Sequence, residues 1–270
     1  MKYLKSTLLL FTTITICLCA KANDITYNIR QISNKDGLSN SAVICLFQDK
    51  DRHLWIGTYD GLNKYDGTDI QVYKPDIKNP YSISGNVIRR IIESKDDYLW
   101  IMTKGGLNKY SKKKNKVEAY FNEFREDSSI ACDNQGNFFI LTPNGNLSYY
   151  DFEAQEFKDV EVRDLKPTKG WVSLVIDFNN KVWITNNGII RQYTLKYSEN
   201  NNVELESIGV FEHSQSITHI YYDKGILIFV DQEGDLYFIE SDEKEFVRNI
   251  RPAIFERGNI NTILFDGQDV

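Results

Sequence analysis

The stretch "LWIGTYDGLNKYDG" at residues 54–67 returns almost unchanged as "LWIMTKGGLNKYSK" at 99–112. An internal repeat constrains a fold more than any other sequence feature, because a period of about 20–50 residues means stacked copies of one supersecondary unit. With the residue before the Trp-Ile step as marker, the copies fall at Leu54, Leu99, Phe138, Val182, Ile226 and Val270, spaced by 45, 39, 44, 44 and 44 residues. The chain is built from one unit used repeatedly.

Each marker follows an apolar alternating run that ends in a polar turn: "VICLFQDKDRH", "IRRIIESKDDY", "SIACDNQGN", "VSLVIDFNNK", "THIYYDKG" and "NTILFDGQD". Alternation punctuated by Asp, Asn and Gly predicts strand, tight turn, strand. After each of the first five markers come a second turn ("YDG", "KGG", "PNG", "NNG", "QEG") and a third strand ("LNKYD", "LNKYS", "LSYYD", "IIRQY", "LYFIE"). A fourth strand follows ("IQVYK", "KVEAYF", "EFKDVEV", "VELESIGVF", "EFVRNI"). Four short strands in about 44 residues make a β-propeller blade. The expected fold is all-β, a propeller of four-stranded antiparallel blades with five full repeats near 41–74, 86–121, 128–163, 171–211 and 217–250, and part of a sixth at 259–270. On this reading the ring is incomplete within the chain, and "ITYNIRQI" (25–32) supplies a closing strand for the last blade.

Repetition also decides what the aromatic residues are for. Trp55, Trp100 and Trp183 occupy equivalent places, with Phe139 and Leu227 in the third and fifth units. A catalytic group is not copied into every blade, whereas a large apolar side chain between neighbouring sheets must be, so these five residues are expected to be core. The Asp-Gly steps follow the same logic as hairpin turns that require positive φ.

The N-terminus reads as a secretory signal. Lys2 and Lys5 precede the apolar "LLLFTTITICL" (8–18), and Ala20-Lys21-Ala22 is an A-x-A cleavage site, so residues 1–22 are expected to be removed and the propeller to occupy 23–270. A lipoprotein reading competes, since Cys17 and Cys19 end the apolar run, but each follows a bulky residue, Ile16 or Leu18. Losing three lysines and no acids takes the formal charge from −6 to −9. An acidic surface argues against nucleic acid and anionic membrane as partners. Only Cys45 and Cys132 survive cleavage. They sit at non-equivalent places in the first and third units, and no bridge between them is expected.

Particular words recur beyond the spacing: "DGLSNSAV" (36–43), "LWIGTYDGLNKYDG", "NPYSISGNVIRRI" (79–91) and "LWIMTKGGLNKY". Together these resemble the regulator-propeller repeats that form the periplasmic sensor of hybrid two-component systems controlling bacterial polysaccharide-utilisation loci. The resemblance is strong in repeats one and two and degenerate afterwards. It implies a periplasmic sensor of a glycan breakdown product, an oligosaccharide ligand and a dimeric full-length parent. That parent is held in the inner membrane by a downstream segment, and its kinase and transcription-regulator portions lie outside this chain. No phosphoacceptor motif surrounds the histidines in "DRHLW", "FEHSQ" and "ITHIY".

Catalytic constellations are scarce. The carboxylates in "QDKDRH" and "SKDDY" fall in the turn between first and second strands, where solvated Asp is expected. His53, His213 and His219 lack metal-ligand spacing, and no nucleotide or cofactor motif occurs, so neither a metal nor a cofactor is expected. "SKKKNK" (111–116) is read as a solvated hairpin rather than an anion site.

Second-to-third turns and blade-to-blade connections emerge on one face of a propeller. That rim carries Asn40, Ser41, Tyr59, Asp60, Asn86, Lys104, Asn144, Asn186 and Asn187. Tyr59, Asp60, Asn86, Lys104, Asn186 and Asn187 are the candidate ligand residues, although the same residue types are ordinary turn formers. Trp171 aligns with Val43 and Ile88 rather than with the other tryptophans, which makes it either a stacking platform for a sugar ring or a buried indole. An exported propeller lyase or glycosidase is the alternative function. It requires paired carboxylates or a His-Tyr pair at the channel mouth.

Overall fold

The alternating runs become strands of five four-stranded antiparallel sheets, each a meander in chain order. The computed structural model describes residues 31–120, 124–169, 172–186, 188–198, 202–212, 217–223, 226–231, 233, 235–240 and 248–250. Blade one comprises β1 (Val43–Gln48), β2 (Leu54–Thr58), β3 (Gly61–Tyr65) and β4 (Ile70–Tyr73). Blade two is β5 (Ile88–Glu93), β6 (Tyr98–Thr103), β7 (Gly106–Ser111) and β8 (Lys116–Tyr120). Blade three is β9 (Ser129–Cys132), β10 (Phe138–Leu141), β11 (Leu147–Asp151) and β12 (Glu156–Val160). Blade four is β13 (Ser173–Ile176), β14 (Lys181–Asn186), β15 (Ile189–Tyr197) and β16 (Val203–Glu212). Blade five is β17 (Ile217–Asp223), β18 (Ile226–Asp231), β19 (Leu236–Glu240) and β20 (Arg248–Ile250). The expected five blades are present. The leader at 1–22, nearly all of the 25–32 strand and the sixth half-repeat lie outside the described residues.

Trp55, Trp100, Phe139, Trp183 and Leu227 are all fully buried, as a repeat-bearing core requires. The first four face the following blade, whereas Leu227 faces back to Trp183 of blade four, because the fifth unit runs one residue out of register with the sequence alignment and Leu227 therefore does not take the tryptophan's place. Trp55 packs among Ile88, Ile91, Ile101 and Val117 of blade two. Trp100 stacks on Phe138 of blade three with ring centroids 4.0 Å apart. Phe139 joins Leu174, Val182 and Ile184 of blade four, and Trp183 joins Ile220 and Phe229 of blade five. Full burial of one such side chain contributes on the order of 2–3 kcal/mol before ordering costs.

The recurring words prove to be a polar latch. In blade one Asn63 accepts the Ser39 amide at 2.8 Å, and its Nδ2 donates to Ser39 Oγ at 2.8 Å and to Ile56 O at 3.0 Å. Ser39 Oγ also meets Thr58 Oγ1 at 3.0 Å. Blade two repeats the arrangement with Ser84, Thr103 and Asn108, at 2.8 Å for the amide contact and 2.9 Å between the hydroxyls. The Ser of "DGLSN" and "SISGN", the Thr after "W-I" and the Asn of "LNKY" are therefore one device tying blades one and two to the connections that enter them. Gly57 serves the same blade by close approach, since a Cβ there would lie 2.5 Å from Cys45 Sγ and 2.8 Å from Ile88 Cγ2.

The first-to-second turns hold a correction. Their leading Asp is buried rather than solvated, because the indole six residues on needs an acceptor. Trp55 Nε1 donates to Asp49 Oδ2 at 2.8 Å, and Trp183 Nε1 donates to Asp177 Oδ2 at 3.2 Å. In blade two Ser94 replaces the Asp and accepts from Trp100 Nε1 at 3.0 Å. Asp133 is held by Asn137 Nδ2 at 2.8 Å and by the Tyr197 hydroxyl of blade four. A second correction concerns "SKKKNK". Its Lys112 is drawn in, with Nζ 2.5 Å from Glu93 and 2.7 Å from Asp51, while Lys113 pairs with Asp97 at 3.1 Å. As expected, Cys45 and Cys132 are both free thiols.

Candidate functional site

The first strands of all five blades border a central cavity of about 510 Å³. Apolar side chains of β1, β5, β9, β13 and β17 form most of its wall, and its charged lining residues are Arg89, Arg90 and Glu126. Arg89 and Glu126 neutralise each other, with both Nε and Nη2 at 2.9 Å from Glu126 Oε2. Arg90 has neutral partners: Nη1 donates to Ser129 Oγ at 3.0 Å and to Ile130 O at 3.4 Å. Burial pulls the Arg90 pKa below its ordinary value, opposed by Tyr221 and Cys45. Burial also pushes the Cys45 thiol up to about 12.

On the rim, Tyr59 is 54% exposed and also lines the cavity. Beside it Asp60 accepts from Lys74 Nζ at 2.5 Å and from Asn86 Nδ2 at 3.2 Å, while Asn86 O accepts the Gly61 amide at 2.8 Å. The structure thus brings Tyr59, Asp60 and Asn86 together at the junction of blades one and two. Lys104 is exposed at the equivalent turn of blade two, where its amide donates to Val87 O at 3.0 Å. Asn144 is exposed at the tip of the β10–β11 turn. Asn40 accepts the Ala42 amide at 2.7 Å, and the Ser41 hydroxyl donates to Asn34 Oδ1. Asn186 departs from the expectation: it is 1% exposed and donates to Lys166 O at 3.0 Å, so its side chain is turned into the fold. Asn187 and Trp171 lie outside the described residues.

Two other clusters are occupied by the protein's own groups. Asp49, Asp51 and His53 offer ligand atoms within 4.8 Å of one another. The Lys112 ammonium already sits there, 2.7 Å from Asp51 and 3.9 Å from Asp49, and His53 Nδ1 lies 3.3 Å from Asp49. An outer cavity of about 360 Å³, lined by Tyr81, Tyr98, Lys109, Glu118 and Gln155, has Lys109 at its base. That lysine is paired with Glu118 at 2.6 Å and bonded to the Tyr150 hydroxyl at 2.6 Å.

Reading the turns missed Arg89, Arg90 and Glu126. The signal for the arginines was present in "IRRII", where two cations stand in the middle of an inner strand whose counterparts "VICLF", "SIAC" and "SLVI" are uncharged.

Residues 37–60 match the two component regulator propeller family. Over 66 residues the chain is 42% identical to histidine kinase P4 of Formosa agariphila, a match covering 24% of this chain and 5% of the kinase. The fold is similar to the extracellular domain assigned to a hybrid two component system of B. thetaiotaomicron, with a TM-score of 0.64, 24% identity, 82% of this chain and 32% of that one covered. It is also similar to virginiamycin B lyase from Staphylococcus aureus, with a TM-score of 0.56, 13% identity, 78% of this chain and 70% of the lyase covered. The chain spans about a third of the first of these structures and far less of the kinase.

Proposed function

We propose that this chain, which carries a regulator-propeller repeat in blade one, is the ligand-sensing propeller of a hybrid two-component sensor and detects a glycan breakdown product in the periplasm. The observation that carries the reading is the match at residues 37–60, which falls on the latch connection, β1, β2 and the Tyr59–Asp60 turn. The region that matches a signalling family is also the region that builds the rim. Similarity to the extracellular domain of a hybrid system supports an exported setting. No described helix is long and apolar enough to cross a membrane.

In this reading an oligosaccharide lies across the rim near Tyr59, Asp60 and Asn86, with Lys104 beside them. Hydroxyl recognition by an Asp-Asn pair and stacking on an exposed tyrosine ring suit a sugar. The parent acts as a dimer through portions outside this chain, and the signal passes to kinase and regulator domains there. Virginiamycin B lyase is an enzyme whose own structure resembles this fold, and an enzyme built on the same fold needs convergent acid-base groups. Among the described residues lining the central cavity, Glu126 is the sole carboxylate, and Arg89 holds it. Calorimetric titration of the intact extracytoplasmic region with an oligosaccharide panel tests the proposal. Saturable heat without products supports sensing, product formation supports the enzyme, and no response from any oligosaccharide refutes sensing by this region.

A further inference from the structure

Comparison of the five blades at one register position isolates a single guanidinium. Placed by strand pairing and by the irregularity that opens the first strand, Arg90 of β5 lies opposite Met102, and its counterparts are Cys45 opposite Gly57, Ser129 opposite Leu141, Ser173 opposite Thr185 and His219 opposite Val230. A cysteine, two serines, a histidine and one guanidinium share a ring of equivalent sites, and only the guanidinium carries a permanent charge. Structural residues follow the repeat, as the tryptophans and the latch do, so the residue that breaks it at the channel is a candidate for a task of its own.

The surroundings of Arg90 fit that task. Its Nη1 is spent on Ser129 Oγ and Ile130 O, while Nε and Nη2 have no protein hydrogen-bond partner among the described residues. No carboxylate pairs with it among the described residues. The other cation among the described lining residues, Arg89, is neutralised by Glu126, which leaves the described lining with one net positive charge in a chain whose formal charge is −6. A half-buried guanidinium without a counter-ion is open to an incoming anion, and its planar fork matches a two-oxygen group. Ser129 Oγ, which accepts from Arg90, fixes the orientation of the fork and also accepts the Leu174 amide at 2.9 Å. The position is therefore pre-organised by blades three and four.

We propose that the central channel is an oxyanion-binding site in which Arg90 takes the carboxylate or sulfate group of an incoming ligand. The two sources sharing this chemistry are an acidic sugar and a free inorganic anion. The site goes beyond the sensor reading and does not require it. If both hold, the sensed saccharide bears an acid group that enters the channel while its neutral rings rest on the rim at Tyr59.

The test uses the full chain with sodium glucuronate, sodium sulfate, glucose and sodium chloride at matched ionic strength, followed by calorimetry and thermal shift. Saturable binding of glucuronate alone identifies an acidic sugar, and saturable binding of sulfate identifies an oxyanion site that does not need the sugar. Arg90→Gln is expected to weaken either at least tenfold, and Arg90→Lys to restore part of the loss. Equal binding by Arg90→Gln, or no saturable response to either anion, overturns the proposal. Should Arg90→Gln fail to fold, dicarbonyl modification of Arg90 in the unaltered chain, read by mass spectrometry, replaces it: protection by the bound anion supports the site and unchanged modification overturns it. A neutral oligosaccharide that binds equally well to both forms, with neither anion bound, removes the channel site and leaves the sensor reading standing.

Discussion

Removing Asn108 should show how much the polar latch contributes to a blade. Its fully buried side chain accepts the Ser84 amide at 2.8 Å and donates to Ser84 Oγ at 2.9 Å, Gly106 O at 3.1 Å and Ile101 O at 3.2 Å. In Asn108→Ala the Ser84 N–H loses its acceptor, a penalty of about 1–3 kcal/mol for an unsatisfied buried donor. Gly106 O keeps Thr103 Oγ1 at 3.0 Å, which limits the damage on that side. The expected total is about 2–4 kcal/mol, or a fall of about 5–15 °C in Tm for a chain of this size. Asn108→Asp preserves the shape and the acceptor but turns an oxygen toward the carbonyls of Ile101 and Gly106. That carboxyl must be protonated to fit, so its folded pKa lies above the unfolded value of about 3.9. The folded state then binds more protons, and stability is greatest below the unfolded pKa and falls as pH rises. Urea and thermal unfolding of the two variants at pH 5 and pH 8, beside the unaltered protein, supply the readings. An Asn108→Ala variant within about 0.5 kcal/mol of the unaltered protein, or an Asn108→Asp variant with no added pH slope, refutes the latch.

Trp100→Ala should cost about 3–5 kcal/mol, because it removes both the stack on Phe138 and the bond to Ser94; a loss below about 1 kcal/mol in denaturant titration contradicts its role between blades. Asp49 is pushed up by burial, but the Trp55 indole, the His53 amide and Lys112 more than offset this and hold its carboxyl below the usual range. Its contribution is therefore present in full above the unfolded pKa of about 3.9 and drains away as pH falls through the folded value. Asp49→Asn should accordingly flatten the acid limb of the stability profile, and an unchanged limb counts against the assignment. Cys45, with its pKa pushed to about 12 by burial, should resist thiol reagents at pH 8 in the folded protein and react only after denaturation. Rapid labelling of Cys45 in the native state would contradict its place in the channel wall.

Much of the architecture could be read directly from the chain because its signals are local. Alternation over a few residues and the turn residues between runs place all four strands of each blade, and β4, β8, β12, β16 and β20 fall where the fourth runs were expected. What escaped reading depends on partners distant in sequence. Ser39 and Asn63 look like ordinary turn and strand residues until the fold brings their side chains together across 24 positions. Asp49 is indistinguishable in sequence from a solvated turn residue, since its burial depends on the indole of Trp55 folding back over it. Lys112 belongs to a run whose composition suggests water, yet Glu93 lies 19 positions away and waits in the fold. At the rim, Tyr59, Asp60 and Asn86 meet because a turn and a connection share one face, which strand order predicts. Asn186 could not be separated from them by type, since only its partner Lys166 O reveals which way it points.

The apolar clusters straddle neighbouring blades, so the unit that is copied and the unit that is sealed are out of phase. One word encodes one sheet, but each sheet contributes two half-surfaces to two different joints, as Phe138 faces back to Trp100 while Phe139 faces forward to Leu174. Copying a word therefore creates both halves of a new joint at once, and a lineage can lengthen such a ring without first inventing a complementary surface. Divergence then proceeds joint by joint: a change on one side is accommodated by the blade across from it, and the original tryptophan becomes replaceable, as Phe139 in the third repeat shows. Inheritance works in sheets, while wear and repair work in the seams between them.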